Sequence, residues 1–220
     1  TFYPLLFELG NINGAQYLLP VSFNLPTIIF SASQKNLVKT NFTLSLEEMR
    51  ELAAAYNKKS GSEYTKMGFS PRWDTDFLYV TAQGLDVSFE ETKSLFSWND
   101  KMLQELITYT RRWSEEVNTS AAAEDEFKFK YLYDPPHTLI TNERCLFWYL
   151  SSDKLFSLNN ERLKSLDYRW MSYNGKTPVQ DEIIYAGICK KAKNTAAARA
   201  FLLWFFNEES QKDLLARTQT

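Results

Sequence analysis

The sequence predicts an α/β fold, and three stretches carry that prediction. Near the C-terminal end, an apolar run from Ile183 to Cys189 gives way to Lys190, Lys191 and Lys193 and then turns at Asn194 or Thr195 into an Ala-rich segment. Asn and Thr accept hydrogen bonds from the free N–H groups of a helix's first turn, and Ala198, Phe201, Leu202 and Phe205 recur at helical spacing on one apolar face. That is a strand-loop-helix unit. A second helix is announced by Ser45 with Glu48 three residues on, a capping box, followed by apolar residues at helical spacing. The third stretch, Arg144-Cys145-Leu146-Phe147-Trp148-Tyr149-Leu150, is the nearly continuous apolar run expected of a strand buried on both faces.

The remaining elements follow in chain order. Gly14 to Phe30 reads as a turn, a short strand ended by Pro20 and a second strand rich in β-branched and aromatic residues. The helix that starts at Ser45 is ended by Gly61 and Ser62. Gly68 to Tyr79 then mixes aromatic and polar groups more densely than any other stretch, with Pro71, Arg72, Trp73, Asp74 and Asp76 leading into a helix start. Such a loop suits binding, because carboxylates accept from hydroxyls while an indole offers a flat apolar face. Asn99 to Val117 is the longest helix predicted, capped by Ser97 or Asn99, with Met102, Leu103, Leu106, Ile107, Thr110 and Trp113 as its apolar stripe. Asn118 to Glu126 reads as a polar surface connection, and Phe127 to Tyr133 alternates like a strand until Asp134-Pro135-Pro136 breaks it. Asp167 to Met171 reads as a further strand.

Composition excludes several function classes. A chain of 220 residues makes one large or two small domains, and 25 basic against 27 acidic residues argue against a nucleic-acid surface or a polybasic membrane patch. With 44% hydrophobic residues, the chain is not disordered, and no apolar run approaches the ~18 residues of a membrane span. Cys145 and Cys189 sit in strand-like runs and are expected to be buried free thiols. His137, the single histidine, falls in a predicted turn, where a surface or structural role outweighs base catalysis. Cys/His metal spacing, glycine-rich phosphate loops and a Gly-x-Ser-x-Gly elbow are absent from the sequence, so neither metal nor cofactor is expected. Asp74 and Asp76 are compatible with a glycosidase pair, but two positions apart on one loop they read first as a helix N-cap and a solvated charge.

Six tryptophans invite a carbohydrate reading, since a pyranose's C–H face stacked on an indole gains about 1–2 kcal/mol. Trp113, Trp148 and Trp204 are expected in the core, whereas Trp73 and Trp170, flanked by arginines near loop or strand ends, suit either a ligand cleft or the core. Arg72 and Arg169 suit a charged ligand or a salt bridge, and the three lysines suit a partner-facing patch or a solvated turn.

The chain resembles the extracellular solute-binding proteins of ATP-driven importers, in the group that carries sugars and oligosaccharides. The resemblance rests on Ala186-Gly187-Ile188 at a strand end, Lys193-Asn194 with Ala197-Ala198 after a basic turn, the aromatic helix beyond, and a tail with Glu208, Gln211 and Leu214. Gly14, Tyr17 and Pro20 keep the family's spacing before a lobe-crossing strand, while Asn142-Glu143-Arg144 departs from its Gly-Lys turn. The resemblance implies an α/β, two-lobe periplasmic-binding-protein-like architecture with a ligand cleft between the lobes. Residues 1–23 and 180–220 would belong to lobe one and 24–179 to lobe two, with hinge crossings near 24 and 172–180, the first lobe largely missing and the chain incomplete at both ends.

It also implies Asn24, Trp73, Asp74, Asp76, Ser151, Trp170 and Tyr185 as ligand-binding residues. Asn24 would face the cleft from the crossing strand if Phe23 and Leu25 point into packed interior, or else would satisfy backbone groups beside Pro26. The implied function is binding a sugar or oligosaccharide unchanged and handing it to a membrane permease. The implied protein is an exported monomer, periplasmic or lipid-anchored, without cofactor, metal or nucleic-acid partner. The rival reading keeps the fold as an interaction or structural lipoprotein, and a glycosidase is a more distant third.

Overall fold

The computed structural model describes residues 3–39, 42–87, 89–92, 95–179 and 183–218. The chain divides into two compact units, one formed by Thr1–Asn24 with Val179–Thr220 and the other by Leu25–Pro178. The first begins with α1 (Pro4–Glu8), where proline's fixed φ and missing N–H suit the first helical turn. A hairpin follows, β1 (Asn11–Ile12) against β2 (Ala15–Gln16), turned by Asn13 and Gly14 at φ values of 53° and 83°, the positive pair that a tight two-residue hairpin demands. β3 (Leu19–Ser22) runs through Pro20 instead of stopping there, since a proline is tolerated in a two-stranded ribbon that is all edge.

The second unit opens on β4 (Pro26–Ser31), whose six residues are all buried. β5 (Thr43–Ser45) leads into α2 (Leu46–Tyr56) through the predicted capping box: Ser45 Oγ accepts from Glu48 N–H at 3.2 Å, and Glu48 Oε2 accepts from Ser45 N–H at 2.9 Å. The helix ends at Tyr56, ahead of the predicted stop. Gly61, at φ 64°, turns a hairpin of β6 (Lys58–Ser60) and β7 (Glu63–Lys66). After a 3₁₀ turn at Pro71–Trp73 come α3 (Thr75–Gly84) and a hairpin of β8 (Phe89–Thr92) and β9 (Leu95–Trp98). α4 (Asp100–Arg112) is capped by Asn99 Oδ1 and continues into a π turn at Trp113–Val117.

α5 (Ala121–Lys130) overturns two sequence expectations, the surface connection before 127 and the strand after it. Ser120 Oγ accepts from Ala123 N–H, three alanines carry the first turn, and the Phe/Lys alternation is helical with Phe127 buried and Phe129 77% exposed. His137 lies in α6 (Pro136–Thr141) and not in a turn. β10 (Trp148–Ser151) is shorter than the apolar run, because Leu146 and Phe147 give their N–H groups to the Gly68 carbonyl instead of a ladder. α7 (Ser152–Phe156), α8 (Asn160–Ser165) and β11 (Leu166–Ser172) complete this unit. Back in the first unit, β12 (Ile184–Ala186) pairs antiparallel with β3 before α9 (Thr195–Phe205), capped by Asn194 as expected, and α10 (Glu208–Thr218).

The second unit's main sheet has the order β10-β4-β11-β5, antiparallel except for the parallel β11–β5 pair. Its core gathers Ile28, Ile29, Phe30, Phe69, Phe77 and Trp113, each fully buried. Burial of an aliphatic or Phe side chain there contributes about 1.5–3 kcal/mol. The first unit differs. Among its described residues Leu6 is the only non-proline hydrophobic side chain that is buried, and α9 buries none. Trp204, expected in a core, is 58% exposed because no described residue of its unit covers that face, and Cys189 is exposed, against expectation, while Cys145 is a buried free thiol.

Candidate ligand-binding site

The ends of the second unit's strands gather polar groups on one side. β10, β11 and β5 deliver their C-termini, Ser151, Ser172 and Ser45, to the end where antiparallel β4 begins at Pro26. In open α/β sheets the carboxyl ends of strands are where ligands collect. Ser151 pairs with Pro26, and one row inward Leu150, Thr27, Trp170 and Thr43 stand at paired positions, so their side chains share a face. Trp170 is half-buried, with Tyr168 packed edge-on at 5.3 Å. Beside this row the chain is fastened from both sides. Leu25 N–H donates to Ser152 Oγ at 3.0 Å, and Ser152 N–H donates to the Leu25 carbonyl at 2.9 Å.

The two aspartates take different roles. Asp74 Oδ1 accepts from the N–H groups of Asp76 and Phe77 at 2.9 and 3.1 Å, which makes it the N-cap of α3, and burial holds its carboxyl above the usual carboxylate range. Asp76 Oδ2 meets Lys154 Nζ at 3.2 Å, tying α3 to α7, and this bond raises the lysine's pKa. Both partners are more than half exposed, so the pair adds only about 0–1 kcal/mol to stability. Its partners can therefore be exchanged for a ligand's hydroxyls at little cost. One acceptor and one donor side by side match a vicinal diol.

Trp73 is placed elsewhere. It is 6% exposed, stacks on Phe127 and Trp148 with centroids 5.6 Å away in each case, and donates Nε1–H to the Glu124 carbonyl at 3.4 Å. The arginines that suggested a cleft position are held in ion pairs: Arg72, exposed, pairs with Glu124 and Asp125, each at 3.2 Å, and buried Arg169 pairs with Asp167 at 3.0 Å. Asn24 lies in the non-strand stretch 23–25 between β3 and β4, so the strand alternation that would aim its side chain does not operate. Tyr185, in the first unit, donates its hydroxyl to the Leu6 carbonyl at 3.0 Å. Asp74, Asp76, Ser151 and Trp170 lie on α3, β10 and β11 of the second unit, with β4 between β10 and β11 and Ser151 on the opposite sheet face from Trp170, while Asn24 and Tyr185 belong to the first unit. Lys154 and Thr27 were missed. A lysine on a short helix and a threonine in an apolar strand carry no signal until pairing sets their neighbours. Among the described residues no cluster of His, Cys, Asp and Glu can hold a metal ion.

No protein-family model matches the chain, and no curated protein matches it. Solved structures do. CpMnBP1 with mannobiose bound aligns with 99% of this chain and 57% of its own, at 14% identity and a TM-score of 0.60. An extracellular solute-binding protein family 1 member from Alicyclobacillus acidocaldarius aligns with 93% of this chain and 52% of its own, at 14% identity and a TM-score of 0.59. The cyclic alpha-maltosyl-1,6-maltose binding protein from Arthrobacter globiformis covers 98% and 55%, at 16% identity and a TM-score of 0.59. At these identities the shared property is the fold. The chain has the α/β fold of the sugar-binding solute-binding proteins and spans little more than half the length of each of these structures.

Proposed function

We propose that this chain binds a neutral sugar or oligosaccharide at the end of the second unit's sheet and releases it unchanged to the permease of an ATP-driven importer. The fold shared with sugar-binding proteins over nearly the whole chain is the observation that carries this reading. In it, a pyranose stacks on the Trp170 indole while its hydroxyls engage Asp76 and Lys154; Ser151, buried and one residue beyond Leu150 on the opposite face of the sheet, makes no direct contact. Asp74 supports the site by holding the start of α3. No bond is broken in this reading: Asp74 already spends one oxygen on two backbone N–H groups, and the neighbouring carboxylate of Asp76 is paired with Lys154. The reading includes an exported location. In support, one of the similar structures is itself described as extracellular.

Fluorescence titration of the chain with mannobiose and maltooligosaccharides tests this. A saturable change is expected, and Trp170→Ala and Asp76→Asn should each weaken binding about 5- to 30-fold, the scale of one lost stacking or hydrogen-bonding group. Silence across the sugar panel overturns the reading. So does chromatographic detection of a cleaved product that disappears in Asp74→Asn. A second reading, the same fold acting as an interaction module, is favoured by one observation: Leu5, Leu9, Phe201, Leu203 and Trp204 of the first unit are all exposed.

A further inference from the structure

We propose that a recess in the second unit, separate from the sheet end, binds a single aromatic ring that carries a hydrogen-bond donor. The recess holds about 200 Å³ and is walled by Trp73, Phe127, Tyr131, Leu139, Cys145 and Trp148. Trp148 begins β10 and Ser151 ends it, so at ~3.3 Å per residue the recess lies about 10 Å from the sheet end along that strand. A sugar held at Trp170 does not occupy it.

Its walls are set in advance for a flat guest. Trp73 lies nearly parallel to both Phe127 and Trp148, at interplanar angles of 14° and 18°, and Tyr131 meets Phe127 edge-on with centroids 5.0 Å apart. Aromatic pairs favour offset stacks and edge-to-face contacts, and this wall offers both faces and edges to a further ring. Close-packed interiors leave few voids larger than a water molecule, whereas an apolar cavity of about 150 Å³ accepts benzene. A space of this size and lining fits one ring and gives a polyhydroxylated guest too few polar partners.

Two charged residues line the recess as well. Lys128 Nζ is already committed, donating to the Trp73 carbonyl at 3.0 Å. Asp134 is exposed, and its carboxylate makes no ion pair or side-chain hydrogen bond among the described residues. It is free to accept from a phenolic O–H or an indole N–H on a ring seated below it. That is why the guest is assigned a donor and not merely an apolar ring.

The test is a ¹⁹F NMR titration of the intact chain labelled with 5-fluorotryptophan, using phenol, toluene and cyclohexanol as probes. Phenol and toluene should move the Trp73 and Trp148 resonances saturably, phenol with a Kd of about 1 mM or tighter, and cyclohexanol should bind more weakly than either. Phenol should bind about 5-fold tighter than toluene, and Asp134→Asn, an exposed change that leaves the core untouched, should abolish that preference. Leu139→Phe, which narrows the recess, should weaken phenol at least 10-fold. Unmoved Trp73 and Trp148 resonances at the solubility limit of all three probes overturn the proposal, as does a phenol preference that survives Asp134→Asn. Sugar binding is read separately at Trp170, so failure here is distinguishable from failure at the sheet end.

Discussion

Glu124 has no exposed side-chain surface, yet it is a carboxylate, and its environment explains how the second unit tolerates it. Arg72 Nη1 donates to it at 3.2 Å, Ser114 Oγ at 2.8 Å and Asn118 Nδ2 at 2.7 Å, so both oxygens are satisfied. Removing one partner from such a pair leaves an uncompensated buried charge. Arg72 is itself exposed and Glu124 keeps two other donors, so Arg72→Met should cost about 1–3 kcal/mol, read as a lowered denaturation midpoint, while Arg72→Met/Glu124→Gln should recover much of that loss. A double variant no more stable than the single one would rule out the charge as the cause. The same residues show the limit of sequence reading at this scale. Arg72 was legible as either ligand contact or ion pair, but its partner lies 52 positions away on a helix whose alternating Phe and Lys imitate a strand. Trp73 shared that ambiguity, since only its stacking on Phe127 and Trp148 reveals which side of it is dry.

Elements whose signals are local were legible. The Ser45–Glu48 box, Asn99 before α4 and Asn194 before α9 all cap where the residue types place them, because a cap is decided within four residues. Elements decided by long-range pairing were not. The run before Trp148 is as apolar as a strand, but tertiary hydrogen bonds to Gly68 keep Leu146 and Phe147 out of the ladder. Asp74 gives a test at this scale, since it caps α3 with a carboxyl whose pKa burial raises. For an acid raised in the fold, the stabilising term is fully present below its unfolded pKa and is lost as pH rises through the folded value. At neutral pH the charge therefore opposes the fold while the cap favours it. Asp74→Ala should cost about 0.5–2 kcal/mol at pH 7 by losing the cap. Asp74→Asn keeps an acceptor, so it should be neutral or stabilising at pH 7, with any advantage shrinking as pH falls below the raised pKa. Thermal melts at pH 7 and pH 4 check both, and an Asn variant as unstable as the Ala variant at pH 7 would show that the cap needs the charge.

At the scale of the molecule, the α/β class was legible from alternating strand and helix signals, and the resemblance to solute-binding proteins anticipated the fold that the solved structures share. The two units are built unequally. The second holds a main core from Ile28 to Met171 and a small second cluster of Ala82, Leu85 and Val87, with β4 buried along its whole length. The first has a two-stranded ribbon of β3 and β12, a single buried leucine and an α9 whose Phe201, Leu203 and Trp204 are more than half exposed. Local opening free energy follows buried apolar contact, so protection from hydrogen exchange should divide along the same line. Amides of β4 and β11 should exchange slowest, at rates set by global unfolding of the second unit. Those of β3, β12 and α9 should exchange orders of magnitude faster, because a short ribbon and an uncovered helix open at little cost. Replacing Leu203 and Trp204 by Ser and Gln should leave the slow set unchanged and reduce self-association, since exposed apolar surface of this kind drives aggregation. Equal protection across both units in hydrogen-exchange mass spectrometry would contradict this division, and would mean that the first unit draws its stability from contacts other than its own core.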